Sequence, residues 1–209
     1  MGNIANQALK ENEQMLTGGS GNMGRNLNID YSSWNDKDSV AIRSIRTACS
    51  LLASCGSSSS GCPEDFKAYL ASKDKLYKLN KFEHNRFNVI FENAGAFVYH
   101  KDDIIDFLSK LSSMNKLQNS VFSDLKDENV YQEIVALAII EKIITTPFMK
   151  LVDSKAFVMH ILDLNKHFHQ LQIDLNHWSS TPDYFLTGIS VIFPDFPALK
   201  MSYIMLCSM

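Results

Sequence analysis

The 209-residue chain contains no apolar run near the roughly twenty residues that a membrane-spanning helix needs. Its best run, Ile134 to Ile140, is followed at once by Glu141 and Lys142. A secretory signal peptide is also absent, because Asn, Gln and Glu interrupt residues 3–14. These absences predict an intracellular protein, nuclear or cytoplasmic, without a membrane partner.

Cysteine is scarce, with four residues in the chain, and no Asn-x-Ser/Thr sequon occurs, which is typical of a reducing compartment. Cys49, Cys55 and Cys62 are close enough in sequence to suggest a zinc site. Their spacing matches no common zinc-ligand pattern, however, and no histidine lies near them. Cys49 also falls on the apolar face of a predicted helix. We therefore interpret these cysteines as reduced structural thiols.

The sequence also lacks a P-loop, a nucleophile elbow and an RNA-binding aromatic signature. Residues 19–24, Gly-Ser-Gly-Asn-Met-Gly, satisfy G-x-G-x-x-G. That fingerprint binds a dinucleotide only when a strand precedes it and a helix follows it. Polar residues flank it on both sides here, so the pattern predicts a flexible linker.

Two further sets of polar residues are candidate metal sites. His160, Asp163 and His167 have the spacing of one helix face, although an apolar stripe beside them favours locally paired boundary residues. The cluster Asp102-Asp103-Asp106 is explained more simply by a helix first turn with a solvated face than by a two-metal site. The sequence therefore predicts no catalytic, cofactor-binding or metal-binding residue, no cofactor and no enzyme.

The charge is unevenly distributed. Residues 1–80 carry nine basic and eight acidic side chains, whereas residues 81–209 carry eleven basic and fifteen acidic ones. An acidic second half has the wrong sign for wrapping a phosphate backbone, which argues against nucleic-acid binding by this chain alone.

What the sequence does contain is helical periodicity. Seven apolar residues alternate at spacings of four and three, which is a heptad repeat on one helix of roughly 155–178. We call them the seam: Phe157, Ile161, Leu164, Phe168, Leu171, Leu175 and Trp178. A stripe of this kind is expected to pack against other helices, within the domain or on a partner.

Other helices are predicted from capping residues and apolar faces. Asp38 or Ser39 can cap a helix that runs to about Gly56, with Arg43 and Arg46 on its solvated side. Pro63 starts a short helix, and further helices begin at Asp102-Asp103, Asn115 and Asp127. Residues 86–99 fit either a strand or a helix, and a helix is favoured.

The predicted organisation is therefore an all-α, irregular multi-helix bundle. Residues 1–37 read as a disordered polar leader rich in Gly and Asn, and residues 38–200 form the helical domain. Residues 201–209 form an apolar end that suggests truncation, after an irregular C-terminal tail.

Four short runs resemble blocks that occur in this order in transposon-derived proteins of animal genomes. They are residues 86–95 (RFNVIFENAG), 142–147 (KIITTP), 161–165 (ILDLN) and 193–196 (FPDF). Arg86-Phe87-Asn88 is also similar to the Arg-aromatic-Asn run that hAT-type transposases carry just before their helical insertion. The chain departs from the pattern at Thr146, where Gly is expected, and at Met149, where Trp is expected.

The resemblance implies the helical insertion side of a hAT-like transposase, whose catalytic carboxylates would lie outside this chain. It thus implies a decayed or domesticated fragment, inert alone, with scaffolding or self-association as its remaining role. The alternative is an unrelated α-helical module that binds a protein partner through the seam or a neighbouring face.

Overall fold

The structure is a computed structural model that describes residues 2–19, 23–24, 37–53, 61–82, 88–146, 149 and 161–181. Seven α-helices lie in these ranges: α1 Gly2–Thr17, α2 Val40–Leu52, α3 Pro63–Ser72, α4 Val89–Ser109, α5 Lys116–Lys126, α6 Glu128–Ile140 and α7 Ile161–Ser180. A π-helical segment, Glu141–Thr145, continues α6. No strand occurs in the described ranges, which confirms the all-α prediction.

The chain divides into two compact units, Met1–Thr145 and Thr146–Met209. The predicted domain of residues 38–200 therefore spans both units. In the first unit, α4 packs mainly against α6 and also against α2, α5 and the π segment. Phe91, Phe97 and Ile104 of α4 are almost completely buried in that core. In the second unit, the structure describes α7.

Three helix starts agree with the capping residues predicted from the sequence. The Ser39 hydroxyl accepts a hydrogen bond from the Ile42 N–H, and Asn115 forms a reciprocal capping box with Gln118. Asp127 accepts hydrogen bonds from the N–H groups of Asn129 and Val130. Each cap satisfies an N–H group that the helix itself leaves without a partner.

The predicted helix start at Asp102-Asp103 is wrong, because α4 runs through these residues. Residues 89–109 form one continuous helix, so the favoured helical interpretation of residues 86–99 is confirmed from Val89 onward. No Gly or Pro lies between the two predicted pieces, and Gly95, within the first piece, is tolerated by a helix. A Cβ at Gly95 would lie 3.3 Å from Glu141 Oε2, so the glycine leaves room for the π segment.

The predicted polar leader contains a helix that the sequence analysis missed. α1 occupies residues 2–17, because its side chains are held by the helical core rather than by an apolar face of its own. Residues 20–22 and 25–36 of the leader lie outside the described residues, as do residues 182–209 of the predicted tail.

α7 carries most of the seam on one helix. Leu171 is half-buried, and Leu175 is 41% exposed. Ile173, beside the seam, is 47% exposed. Phe157 and the side chains of residues 161–168 and 178 lie outside the described part of the chain.

Candidate functional site

The first unit encloses a group of buried charges that we call the polar core: Glu13, Arg43, Asp124 and Glu133. It joins α1, α2, α5 and α6. All four side chains are 9% exposed or less, in a position where charged residues are normally excluded unless they are paired.

Arg43 and Asp124 form the central ion pair. Arg43 Nη2 donates to Asp124 Oδ1 at 2.9 Å, and the Ser44 hydroxyl donates to Asp124 Oδ2 at 2.6 Å. The prediction of Arg43 on a solvated face was therefore wrong. α2 is covered by α5 on the side where the apolar pattern alone suggested solvent. Arg46, which is half-buried, pairs with Asp38 at 2.6 Å.

Burial controls the titration of Asp124. Desolvation raises the pKa of this carboxyl to about 6, although the Arg43 charge and the Ser44 hydroxyl both favour its ionised form. The ion pair therefore offsets only part of the cost of burying the carboxylate.

Glu13 and Glu133 bring two carboxyl groups together. Glu13 Oε1 accepts a hydrogen bond from the Val40 N–H at the start of α2, and Asn12 Nδ2 donates to Glu133 Oε1 at 3.0 Å. Burial raises the pKa of Glu133 to about 8, and it also raises the pKa of Glu13. Burial therefore favours the protonated form of this pair.

The end of the glycine-rich run is packed beside this core. Met23 is buried, and the Gly24 N–H donates to Asp127 Oδ2 at 2.9 Å. Gly24 has φ +67°, and a Cβ there would lie 2.7 Å from Val130 Cγ2 and 2.9 Å from Asp124 Oδ1. At Met23 and Gly24, therefore, the predicted linker is an anchored contact.

A second polar arrangement runs along α4. Three buried side chains, Asn93, His100 and Asp103, hold residues 75–80, which follow α3. The Asn80 N–H donates to Asn93 Oδ1 at 2.8 Å, and the Lys78 N–H donates to His100 Nε2 at 3.2 Å. Lys75 Nζ lies 2.8 Å from both Asp103 oxygens.

The lengths of the two elements explain this pairing. Ten helical residues from Asn93 to Asp103 rise about 15 Å. The five residues from Lys75 to Asn80 can span up to about 17 Å, and they run in the opposite direction. The segment is therefore long enough for Lys75 to reach Asp103 at one end and for Asn80 to reach Asn93 at the other.

His100 is a structural acceptor in this arrangement. Burial lowers its pKa, and Nε2 accepts from a backbone N–H, so the neutral ring carries its proton on Nδ1. Nδ1 lies 3.8 Å from Asp103 Oδ2. The sequence analysis did not single out this residue.

The structure also corrects the interpretation of the acidic cluster. Asp102, Asp103 and Asp106 lie in the second half of α4 rather than in a first turn. Asp103 is buried and paired with Lys75, and Asp106 pairs with Lys73 and Lys110 at 2.8 Å. These lysines hold the pKa of Asp106 well below its usual range.

Among the described residues, no group of three or more His, Cys, Asp or Glu side chains is arranged to hold a metal ion. Cys49 is a core residue, and burial raises the pKa of its thiol to about 12. Cys62 is half-buried, while Cys55 and His160 fall outside the described residues. Asp163 and His167 belong to α7, but their side chains are not among those described.

The polar core was missed because its members are far apart in sequence. Arg43 and Asp124 are 81 positions apart, and Asn12 and Glu133 are 121 apart. In the sequence, Arg43 and Asp124 are each directly beside an apolar residue, Ile42 and Leu125. Surface positions show the same pattern, so it does not identify a buried charge.

Comparisons with known proteins give no relative: no protein-family model, curated protein or solved structure matches the chain. None of the helices that the structure describes is long and apolar enough to cross a membrane.

Proposed function

We propose that this chain is an α-helical scaffold that associates with a second copy of itself through the seam on α7. In this proposal the chain derives from a hAT-like transposase, of which it is the helical insertion side, and it is catalytically inert alone. Any binding of nucleic acid would belong to other parts of such a protein.

One observation carries the self-association. The seam repeats every seven residues, which is the pattern that fits another helix of the same kind. Leu175 in that seam is 41% exposed, and Leu171 is half-buried. Large apolar side chains at such positions are covered when a partner helix packs on them.

The transposase origin is supported by where the resembling blocks lie. Asn88 to Gly95 begins α4, the central helix of the first unit, and the second block falls largely in the π segment. The third block begins α7. An all-helical described chain also fits what the resemblance implies for the insertion.

The competing function is an unrelated helical module that binds a different protein through the same face. A genomic survey separates the two origins. Many dispersed near-copies, with carboxylate-bearing strands encoded upstream and downstream, would support the transposon. A single-copy locus without such flanks would contradict it.

Leu175→Asp tests the self-association in the full chain. The mass is measured by size-exclusion chromatography with light scattering, and Asn176→Asp serves as the control. Asn176 is exposed and lies outside the seam. Its substitution by Asp introduces the same negative charge one position further along α7. We expect the wild type and Asn176→Asp to elute at twice the 23.6 kDa chain mass, and Leu175→Asp at the chain mass. A wild type that is monomeric, or a Leu175→Asp variant that stays dimeric, would contradict the proposal.

A further inference from the structure

α1 is held on the first unit chiefly by polar side chains. The Asn6 side chain accepts from the Ser39 N–H at 2.6 Å and donates to the Lys37 carbonyl at 3.0 Å. Asn12 and Glu13 make the contacts to Glu133 and to the Val40 N–H. The large apolar residues Ile4, Met15 and Leu16 are 74%, 67% and 39% exposed. Hydrophobic burial therefore contributes less to the docking of α1 than to that of the core helices.

The contact between Glu13 and Glu133 needs a proton. Asn12, the neighbour of Glu13 on α1, donates to Glu133 Oε1 at 3.0 Å, and both carboxyl groups are buried away from water. Glu133 Oε2 receives no hydrogen bond from a described residue. A proton on this oxygen can be donated to the Glu13 carboxylate, whereas two ionised carboxylates in this buried site repel each other.

The charges on the neighbouring helices do not replace that proton. Lys10 of α1 and Arg43 of α2 favour an ionised Glu13, while Asp127 at the start of α6 opposes an ionised Glu133. The Arg43 guanidinium already forms a hydrogen-bonded ion pair with Asp124 of α5. Among the described groups that act on the pair, a second negative charge would therefore meet no further positive charge.

We propose that α1 is a proton-dependent latch: the proton shared by Glu13 and Glu133 holds α1 on α2 and α6, and its loss to solvent releases α1. Release uncovers the N-terminal end of α2 and the Glu133 side of α6. Gly24 stays attached, because its N–H donates to Asp127, which lies outside the Glu13–Glu133 pair.

Glu133→Gln separates the proton from the rest of the contact. The glutamine amide NH2 can donate to Glu13, and its oxygen can still accept from Asn12. The variant therefore copies the protonated form at every pH. Glu13→Gln is the reciprocal change, with an oxygen for the Val40 N–H and an NH2 that can donate to Glu133. Glu11→Gln, an exposed position on α1, is the matched control.

The test is amide hydrogen exchange in α1, compared between proteins at the same pH, so that the intrinsic exchange rates are equal. At about pH 9, above the Glu133 pKa of about 8, we expect α1 amides to exchange at least about tenfold faster in the wild type and in Glu11→Gln than in Glu133→Gln. At about pH 6 the difference from Glu133→Gln should be smaller, because less of the stabilisation from the proton has been lost at that pH. The amides of α4 and α5 should not change.

Equal α1 protection in the wild type and in both glutamine variants at about pH 9 would overturn the latch. So would a loss of protection that spreads through α4 and α5, because that would be unfolding of the unit rather than release of one helix.

Discussion

Arg43 and Asp124 form a 2.9 Å ion pair between α2 and α5 in which the arginine side chain is 6% exposed and the aspartate is fully buried. A pair in this position fixes how two helices face each other, since neither charge can be left alone in the interior. The neighbouring carboxyl pair of Glu13 and Glu133 extends the same polar core to α1 and α6.

Asp124→Asn should destabilise the first unit. The variant leaves the Arg43 guanidinium buried beside a neutral amide, and breaking a buried pair from one side costs about 3–5 kcal/mol. Urea unfolding followed by circular dichroism measures the change. Glu64→Gln, which removes an exposed partner of Lys67, should change stability by less than about 0.5 kcal/mol. Similar losses in the two variants would mean that the Arg43–Asp124 pair contributes no more than a surface pair.

Stability should fall as the pH rises from about 7 to about 8. Glu133 has a folded-state pKa of about 8, above its usual value of 4.5, so the folded state holds a proton that the unfolded state has lost. The resulting stabilisation is fully present below the unfolded pKa and is lost as the pH rises through the folded pKa, at up to about 1.4 kcal/mol per pH unit.

The measurement for this prediction is a series of urea unfolding curves at about pH 7 and about pH 8, above the usual histidine pKa. The wild type should lose about 1 kcal/mol over this unit, and Glu133→Gln should lose much less. A slope that is the same in both proteins would assign the pH dependence to other groups.

Gly24→Ala should be more harmful than Gly19→Ala. Both glycines have positive φ, which costs an alanine about 1–2 kcal/mol. Only at Gly24 would the new Cβ also meet packed atoms, those of Val130 and Asp124, which adds about 1–3 kcal/mol of overpacking. Thermal unfolding of the two variants compares the costs. Equal melting temperatures would show that residues 23–24 are not anchored as described.

Asn93→Ala should loosen residues 75–80 while leaving α4 intact. The Asn80 N–H loses its buried acceptor, which costs about 1–3 kcal/mol. Hydrogen exchange should speed up at Asn80, and Glu92→Ala, at an exposed position of the same helix, should leave it unchanged. If the exchange rate at Asn80 is unchanged in Asn93→Ala, the described pairing between α4 and residues 75–80 is contradicted.

The elements with local signals were predictable from the sequence. Ser39, Asn115 and Asp127 cap helices because their side chains bond N–H groups two or three residues away, and such distances are visible in a sequence. The continuity of residues 89–99 with the next helix was missed because acidic residues such as Asp103 mark a first turn as readily as a paired mid-helix position.

The polar core and α1 could not be predicted from the sequence, because both are held in place by residues far away in the chain. Arg43 appears solvated from its own helix, and only the arrival of Asp124 makes its burial favourable. α1 exposes Ile4, Met15 and Leu16 and docks through polar residues such as Asn12 and Glu13, which is the reverse of the pattern used to recognise a docked helix. No rule based on periodicity would have found either feature.

The central claim is that the chain associates through the seam, and sedimentation equilibrium of the full wild-type chain over a range of concentrations tests it most directly. The account predicts an average mass that rises with concentration from 23.6 kDa towards twice that value. A mass that stays at 23.6 kDa throughout would contradict it.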